Sequence, residues 1–366
     1  MTVTVELHTA LDQIDPAAYA TLHQACAQPA FYDPRFLAGI ERLPLLPVEK
    51  TYYLAAYDGP ALVGFMPAYV QSPVVVDPFD VLGRTTPIRF APGARGVFSH
   101  VMHCYDSRIL AAGGAAILGP MLQHLEALAR AEGAQHFVIM NVADGELLAA
   151  AQGLGLDAHY MFDRFRLDLS GIPDFDTLVA QHLPADGRRE MHRQLRKFAA
   201  SGTRVVVEPA SFDRIEELAE LCFLTTKRNG TPGYLPPVPL ARLVSACGDM
   251  IRFVIVYDQD RIAGGFICID DGPVFHIWLG GMTYEGLDFS PYTIGTAEAY
   301  RYALAHGKRH IEAGRLNAKV KYRLGLSPLP LHSIASPDLR LPAGPVLSGR
   351  RHAPALPAGF AGSATP

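Results

Sequence analysis

Residues 273–333 read PVFHIWLGGMTYEGLDFSPYTIGTAEAYRYALAHGKRHIEAGRLNAKVKYRLGLSPLPLHS, and this stretch decides the fold. The apolar run from Val274 to Leu279 predicts a strand, which we expect to stop at Gly280-Gly281. A helix is predicted next, because Ser290 is a typical N-cap followed by proline, and Gly307 is a typical residue just past a helix end.

A second strand and a run of polar residues complete this stretch. The strand is predicted at Arg309 to Ala313, with Glu312 near its carboxyl end. The polar residues that follow it are Arg315, Asn317, Lys319, Lys321 and Arg323. In an open α/β sheet, ligands bind beyond the carboxyl ends of strands, and a nearby helix N-terminus offers unpaired N–H groups to an anion. We therefore expect the functional site here.

The composition is that of an ordinary globular protein. The chain has 366 residues, 49% of them apolar, with a formal charge of −4 and a pI near 6.4. This length suits two domains or one large one. The charge excludes a surface that coats nucleic acid generally but leaves room for a local basic patch. The first residues do not form a basic segment followed by an apolar segment, as a signal peptide would. No long apolar run is free of charged residues either. We therefore expect a cytoplasmic protein without a membrane span.

The two halves of the chain repeat one another. Residues 52–58 read YYLAAYD and residues 253–258 read FVIVYD, while residues 131–137 read AEGAQHF and residues 305–311 read AHGKRHI. Each half is predicted to run strand, helix, helix, strand, strand, strand, helix, strand. The third strand of the first half is expected within the Pro- and Gly-rich insert of residues 71–108. We infer an internal duplication.

Two domains and a tail follow from the duplication. We expect an N-terminal domain over residues 1–170 and a C-terminal domain over residues 171–342 that carries the site. Residues 343–366 are rich in Pro, Gly, Ala and Ser, and they hold too few large apolar residues to pack, so a disordered tail is predicted.

This order of elements, taken twice, resembles tandem GNAT (Gcn5-related N-acetyltransferase) domains. It is similar in particular to the Fem-type aminoacyltransferases and to the bacterial peptidoglycan biosynthesis/recognition acyltransferase-like family. The motifs that carry the resemblance are RREMHRQLRK at 188–197, TKRNGTPGYL at 226–235, AGG at 263–265, SPY at 290–292, and EAG at 312–314 followed by Lys321 and Gly325. The resemblance implies an α/β (α+β) fold of two tandem GNAT-like domains, each a mixed central sheet flanked by helices.

One departure from the family concerns the acyl donor. The classical GNAT fold binds acetyl-CoA through an Arg or Gln followed by spaced glycines, and GGMTYEG at 280–286 stands in that place. The resemblance therefore leaves acyl-CoA, another acyl thioester or aminoacyl-tRNA as the donor substrate, with no permanently bound cofactor. Fem-type relatives use a lysine near the position of Lys321.

Forming an amide from an activated ester requires an unprotonated amine, a stabilised oxyanion and an aligned, dry pocket. Glu312 is the candidate base or amine-orienting group; the alternatives are a plain surface glutamate and an ion pair with Arg315 or Lys321. Those two cations are candidates to stabilise negative charge or hold a phosphate, or they belong to a solvated loop. Tyr292 is a candidate donor to the leaving group, or a packing residue. His276 faces a ligand if its strand is splayed at the glycines, or it is a satisfied core residue.

The run at 188–197 is the candidate anion-binding surface. If it is helical, Met191, Leu195 and Phe198 form a buried stripe, and the basic residues on an adjacent face are Arg189, Arg193 and Arg196. Such a face suits pyrophosphate, the phosphates of coenzyme A or a tRNA acceptor stem, and the alternative is a solvated helix. With Gly280, Gly281 and Arg315, these arginines complete the candidate donor-binding set.

The sequence thus favours an N-acyltransferase that joins an activated acyl or aminoacyl group directly to an amine. No His/Cys spacing suits a metal, no phosphate-binding P-loop is present, and no nucleophile signature indicates a covalent acyl-enzyme. Five scattered cysteines predict buried free thiols. The acceptor is expected to be a small-molecule or cell-wall-precursor amine. The alternatives are an aminoacyl-tRNA-dependent Fem-like transferase and a non-catalytic binder of an anionic envelope precursor.

Overall fold

A computed structural model describes residues 3–231, 234–283, 285–336, 338–339 and 347–348 of the chain. Within this part, the strands of both halves join in one sheet of fourteen strands with mixed directions. The sheet order is β14-β1-β2-β3-β4-β6-β13-β7-β12-β11-β10-β9-β8, and β5 pairs with β3 beside this path.

The first half of the chain contains seven described strands and six described helices. The strands are Val3–His8 (β1), Lys50–Asp58 (β2), Ala61–Gln71 (β3), Gly96–Ser99 (β4), Leu110–Ala111 (β5), His136–Val142 (β6) and Asp157–Asp168 (β7). The helices are Pro16–Ala25 (α1), Pro34–Arg42 (α2), Pro73–Val76 (α3), Val81–Thr85 (α4), Ala115–Ala131 (α5) and Gly145–Gly153 (α6). The third strand of the predicted order, β4, does lie in the insert of residues 71–108, which also contains α3 and α4.

The second half repeats this order after α7. Its strands are Arg204–Glu208 (β8), Ile251–Asp258 (β9), Arg261–Asp271 (β10), Val274–Met282 (β11), His310–Glu312 (β12), Ser327–Ala335 (β13) and Leu347–Ser348 (β14). Its helices are Phe175–His182 (α7), Ala185–Ala200 (α8), Ile215–Arg228 (α9), Pro237–Ala246 (α10), Pro291–Ala305 (α11) and Ala318–Arg323 (α12). In the predicted disordered tail, β14 pairs in parallel with β1. The remainder of residues 343–366 lies outside the described residues.

Both faces of the sheet are buried, because successive apolar side chains of a strand pack in different cores. On β2, Tyr53 and Ala55 pack in a core shared with α1, α2, α9 and α10, whereas Leu54 and Ala56 pack in a second core beneath α5. Successive side chains of a strand point to opposite faces, so a strand that is apolar throughout needs helices on both sides. One of these cores, on the side of α1 and α9, runs across both halves of the chain.

The last strand of each half pairs with the other half. Strand β7 of the first half is hydrogen-bonded to β12, with Arg166 opposite Glu312. Strand β13 of the second half lies between β6 and β7 and is antiparallel to both. The two halves therefore share one continuous sheet through an exchange of their end strands.

Strand β13 is an element that the sequence did not predict, and its prolines explain why. Proline lacks an N–H group and is normally excluded from the interior of a sheet. Pro328 and Pro330 lie in the part of β13 that pairs with β7 alone, and pairing with β6 begins only at His332. The two prolines thus lie where β13 has a neighbouring strand on one side only.

The prediction that the strand after Val274 stops at Gly280-Gly281 is wrong. β11 continues through both glycines to Met282. A Cβ on Gly281 would lie 2.4 Å from the backbone nitrogen of Cys222 in α9. The glycine is required because helix α9 crosses the strand at backbone contact distance, not because the strand turns.

This close approach predicts that Gly281→Ala lowers the free energy of unfolding by about 1–3 kcal/mol, since neither backbone can retreat freely. Chemical denaturation measures the effect. The matched control is Gly153→Ala at the end of α6, where an added Cβ would contact nothing within 4 Å outside its own helix and its chain neighbours. That variant should be neutral or more stable by about 0.5–1 kcal/mol, because alanine is the better helix former. Equal stability of the two variants would contradict the explanation.

Candidate active site

The site is built where two neighbouring strands part. β11 and β12 are paired over three positions only, from Val274 opposite His310 to His276 opposite Glu312. Beyond them β11 continues to Met282 with β10 on its other side, and the chain after Glu312 turns away. The opening forms a cavity of about 290 Å³.

This cavity brings together four of the residues predicted from sequence: Gly280, Tyr292, Arg315 and Lys321. Helix α9 and the segment after it contribute Thr225, Thr226, Asn229, Tyr234 and Leu235 to the wall. The first half of the chain contributes His103 and Tyr105. The second half carries most of the wall, but the first half closes it.

Lys321 is the most unusual group of the cavity. It lies on the short helix α12 and is only 2% exposed. Its ammonium group donates to the backbone oxygen of Arg315 and lies 5.2 Å from the centre of the Phe165 ring. Burial and the charge of Arg315 lower the pKa of Lys321 to about 7, although Glu312 acts in the opposite direction. A lysine in this state is partly neutral near pH 7 and can accept a proton.

The loop between β12 and α12 holds Lys321 in place through a strained backbone. Gly314, Leu316 and Asn317 all have positive φ, of 64°, 61° and 54° respectively. The left-handed conformation is costly for a residue with a side chain such as Leu316, and such strain is found where surrounding contacts fix the chain. At Gly314 a Cβ would also come within 3.2 Å of the Tyr105 ring. This position therefore requires glycine on two grounds.

Glu312 is buried but is not among the described residues that line the cavity. Its Oε1 accepts a 2.5 Å hydrogen bond from Arg166 Nε, and its Oε2 lies 3.8 Å from Arg164 Nε. Arg164 also contacts Asp106 of the first half, at 3.1 Å. Both arginines belong to β7, so Glu312 fastens the exchanged strand to β12. The proposed role of Glu312 as a base stays a prediction; the ion pair that we weighed against it is formed with β7, not with Arg315 or Lys321.

His276 lies behind the cavity and is connected to it through Tyr105. The Tyr105 hydroxyl is 2.8 Å from His276 Nδ1, and His276 Nε2 is 3.8 Å from an oxygen of Asp271. Burial, reinforced by the charge of Glu312, raises the pKa of Tyr105 well above its ordinary value. Tyr105 therefore keeps its proton and can donate to an oxygen in the cavity. The sequence did not reveal Tyr105, which lies in a loop without periodicity; its only signal was an aromatic residue near a predicted insert.

The first half also supplies His103 and Asn141. His103 is fully enclosed, which lowers its pKa to about 3 and keeps the imidazole neutral. Asn141 accepts a 2.9 Å hydrogen bond from Arg315 Nη1 and donates to Cys104 O at 3.1 Å. Asn141 thus joins the loop after β12 to the loop before β5. Neither residue was predicted, because these contacts connect the two halves.

The glycines and Tyr292 have packing roles that the structure makes explicit. A Cβ on Gly280 would lie 2.9 Å from the Phe266 ring. Tyr292 packs edge-on against the same ring, with centroids 5.3 Å apart. Gly281 faces α9 and is not among the described lining residues. Gly280 and Tyr292 therefore form one wall around Phe266.

The N-terminus of α11 does not offer the row of unpaired N–H groups expected from the sequence. Pro291 has none, the Thr293 N–H donates to Ser290 Oγ at 3.3 Å, and the Ile294 N–H donates to the Ser290 carbonyl. The predicted N-cap role of Ser290 is confirmed. That cap uses donors that a pyrophosphate would require.

Helix α8 forms where the basic run predicted it, with Met191 buried and Leu195 and Phe198 partly buried. Its candidate arginines, Arg189, Arg193 and Arg196, are exposed and are not among the described lining residues. Arg193 is paired with Glu190 at 2.6 Å. The helix instead supports the segment before α11, because Gln194 accepts from the Ser290 N–H at 2.7 Å and Lys197 donates to Asp288 O at 2.8 Å.

Comparison with known proteins agrees with this geometry. Residues 185–322 match the family described as acetyltransferase (GNAT) domain. The matched residues all lie in the second half of the chain. No curated protein matches the chain. The solved structure of FemX is similar with a TM-score of 0.58 and 11% identity, over 89% of this chain and 96% of that one.

Two further solved structures are similar over most of their length. A tandem GNAT protein from the clavulanic acid biosynthesis pathway is similar with a TM-score of 0.55 and 13% identity, over 93% of this chain and 99% of that one. The C-terminal domain of a putative lysylphosphatidylglycerol synthetase from Agrobacterium fabrum has a TM-score of 0.55 and 10% identity, over 87% and 92%. The predicted fold of two tandem GNAT-like units is therefore confirmed.

The described residues contain no group of three or more His, Cys, Asp or Glu side chains that could hold a metal ion. In the same part of the chain, no helix combines the length and the apolar character that a bilayer crossing requires. All five cysteines carry free thiols, and four of them are buried.

The depressed pKa of Lys321 predicts a dependence of stability on pH. Between about pH 7 and 10 the unfolded chain binds a proton at this lysine that the folded chain does not, so folding is favoured as pH rises. Relative to Lys321→Met, the wild-type protein should gain roughly 1–2 kcal/mol between pH 7 and 8.5. Urea unfolding of both proteins at the two pH values gives this difference. A constant difference would show that Lys321 titrates normally.

Proposed function

We propose that this chain is an N-acyltransferase that transfers an activated acyl group directly to an amine in the cavity between β11 and β12. The observation that carries the proposal is the buried Lys321, with a pKa of about 7, on the wall of a cavity at the parted strands of a GNAT domain. A general base is most effective when its pKa is near the working pH.

Three groups in or near the cavity contain an atom that can accept a proton, and their environments differ. His103 has a pKa of about 3, so its imidazole accepts a proton poorly from an amine. Glu312 is occupied by Arg166 and Arg164 and lies off the wall. Lys321 faces the cavity and is half neutral near pH 7. These differences favour Lys321 as the base, with Glu312 holding β7 and β12 together beneath it.

The proposed reaction has two steps. Neutral Lys321 takes a proton from the acceptor ammonium, and the free amine attacks the acyl carbonyl to form a tetrahedral oxyanion. Tyr105, which retains its proton, donates a hydrogen bond to that oxygen, and Arg315 adds positive charge. Collapse of the intermediate re-forms the carbonyl and breaks the bond to the donor's sulfur or oxygen. The leaving group takes up the surplus proton of the attacking nitrogen, which leaves a neutral amide, and Lys321 returns its own proton to solvent. His276 positions the Tyr105 hydroxyl.

The proposal predicts that Lys321→Met lowers kcat at least about 100-fold, the usual contribution of a positioned base. In the wild-type protein, kcat/KM should rise with pH through about 7, since only neutral Lys321 accepts a proton. Release of free thiol from an acyl-CoA, with a panel of primary amines as acceptors, measures the rate. The matched control is Lys319→Met, because Lys319 lies on the same helix but is exposed. Equal activity of both variants would remove Lys321 from the mechanism.

A second candidate function is aminoacyl transfer from tRNA to a cell-wall-precursor or small-molecule amine. The exposed Arg189 and Arg196 of α8 favour it, because they lie on the helix that supports the segment before α11 and suit a phosphate backbone. The occupied N–H groups at the start of α11 are consistent with a donor other than coenzyme A. The non-catalytic reading predicts a bound anionic ligand without turnover of any donor.

Treatment with RNase separates these possibilities. If aminoacyl-tRNA is the donor, RNase should abolish amide formation from a mixture of charged tRNAs, and the double variant Arg189→Ala/Arg196→Ala should raise KM for the tRNA about tenfold or more at 0.15 M salt. If a thioester is the donor, neither change affects the rate. Calorimetric binding of an anionic precursor, with no product from either donor, would support the binder.

A further inference from the structure

A second cavity lies beside the first and has no role in the reaction described above. Its volume is about 510 Å³. The two cavities share part of their walls, namely Thr226, Asn229, Tyr234, Arg315 and Leu316. The two cavities therefore adjoin at Arg315, close to Lys321 in the wall of the first.

The walls of the second cavity are largely apolar. The insert of the first half contributes Val76, Phe79 and Val81, and the strands below contribute Met140, Met161 and Phe162. Methionine side chains adapt to irregular apolar ligands because they are unbranched and polarizable. The helices α3 and α4 thus roof an apolar compartment over the junction of β6, β13 and β7.

The charged groups of this cavity lie at its ends or already form hydrogen bonds within the protein. The Asp77 carboxylate accepts the Leu82 N–H at 2.6 Å, at the start of α4. Arg84 donates to the backbone oxygens of Phe79 and Asp80. Arg315 lies at the junction of the cavities, over the Phe162 ring at 4.5 Å. An apolar compartment with a cation at its entrance suits a chain whose head is a carbonyl or an anion.

We propose that the second cavity binds the hydrocarbon chain of the acyl group that is transferred, and that the substrate is an activated medium- or long-chain fatty acid. The chain lies between the roof of α3 and α4 and the floor of Met140, Met161 and Phe162, with its carbonyl beside Arg315 and Lys321. This inference rests on the proposed acyl transfer. The amide product is then an N-acyl amine, and the carrier thiol or alcohol is the only other product.

Charge complementarity selects the acyl chain over an acceptor with an apolar tail. An alkylammonium head would be placed against Arg315, whereas a carboxylate or a carbonyl oxygen is attracted there. Comparing the binding of saturated fatty acids with that of alkylamines of the same length therefore shows whether the hydrocarbon chain belongs to the acyl group or to the acceptor.

The test is calorimetric binding of octanoate, decanoate and dodecanoate to the full chain, each below its micellar concentration. Each added methylene should tighten binding about fourfold, the equivalent of about 0.8 kcal/mol, until the cavity is full. Phe79→Glu should weaken dodecanoate binding at least tenfold. Phe79 is 46% exposed, so the variant is expected to fold. The matched control is Val74→Glu on the same insert, because Val74 is 73% exposed and outside the described lining.

Three results would overturn the inference: affinity that does not depend on chain length, equal binding by the Phe79 and Val74 variants, or tighter binding of dodecylamine than of dodecanoate. If chains bind as expected and no acyl donor is turned over, the acyl-transfer proposal fails and the cavity assignment stands. If short acyl groups are transferred without chain binding, the reverse holds.

Discussion

The parting of β11 from β12 after three paired positions is the constraint on which the rest of the structure depends. A strand that loses its neighbour leaves backbone groups and apolar side chains without partners, and both must be covered by other elements. Tyr105 and His103 cover the gap from the first half, α9 covers it from one side, and the loop before α12 covers it from the other. The cavity is therefore covered by three separate segments, which explains why its polar groups are so thoroughly desolvated.

Desolvation decides the chemistry of the site more than charge pairing does. Glu312 lies close enough to favour the ammonium form of Lys321, yet burial and Arg315 outweigh it and the pKa of Lys321 falls to about 7. The reason is that Glu312 is committed to Arg166 and Arg164, so its negative charge is largely compensated. The role of Glu312 as a base stays a prediction, and its contacts with the two arginines link β12 to β7.

The local parts of this architecture were accessible from sequence, and the non-local parts were not. Caps, prolines and apolar periodicity located α11, β12 and the buried stripe of α8, because these signals act within a few residues. The stretch around Lys321 was identified through its motif. Tyr105, Asn141 and the arginines of β7 escaped, since their importance comes from contacts with residues more than a hundred positions away. Strand β13 was not predicted because its prolines argue against a strand. Only the folded protein shows that they lie where β13 has a neighbouring strand on one side alone.

The exchanged end strands also govern how the chain can be made. Val142 on β6 pairs with His332 on β13, so at roughly 5–20 residues per second the ribosome needs about 10–40 s to deliver the partner, which lies about 190 residues later. Throughout that interval the nascent first half presents an open, apolar strand edge, the feature most prone to wrong pairing with a neighbouring chain. Two separately translated halves would each have to find a missing strand on another molecule.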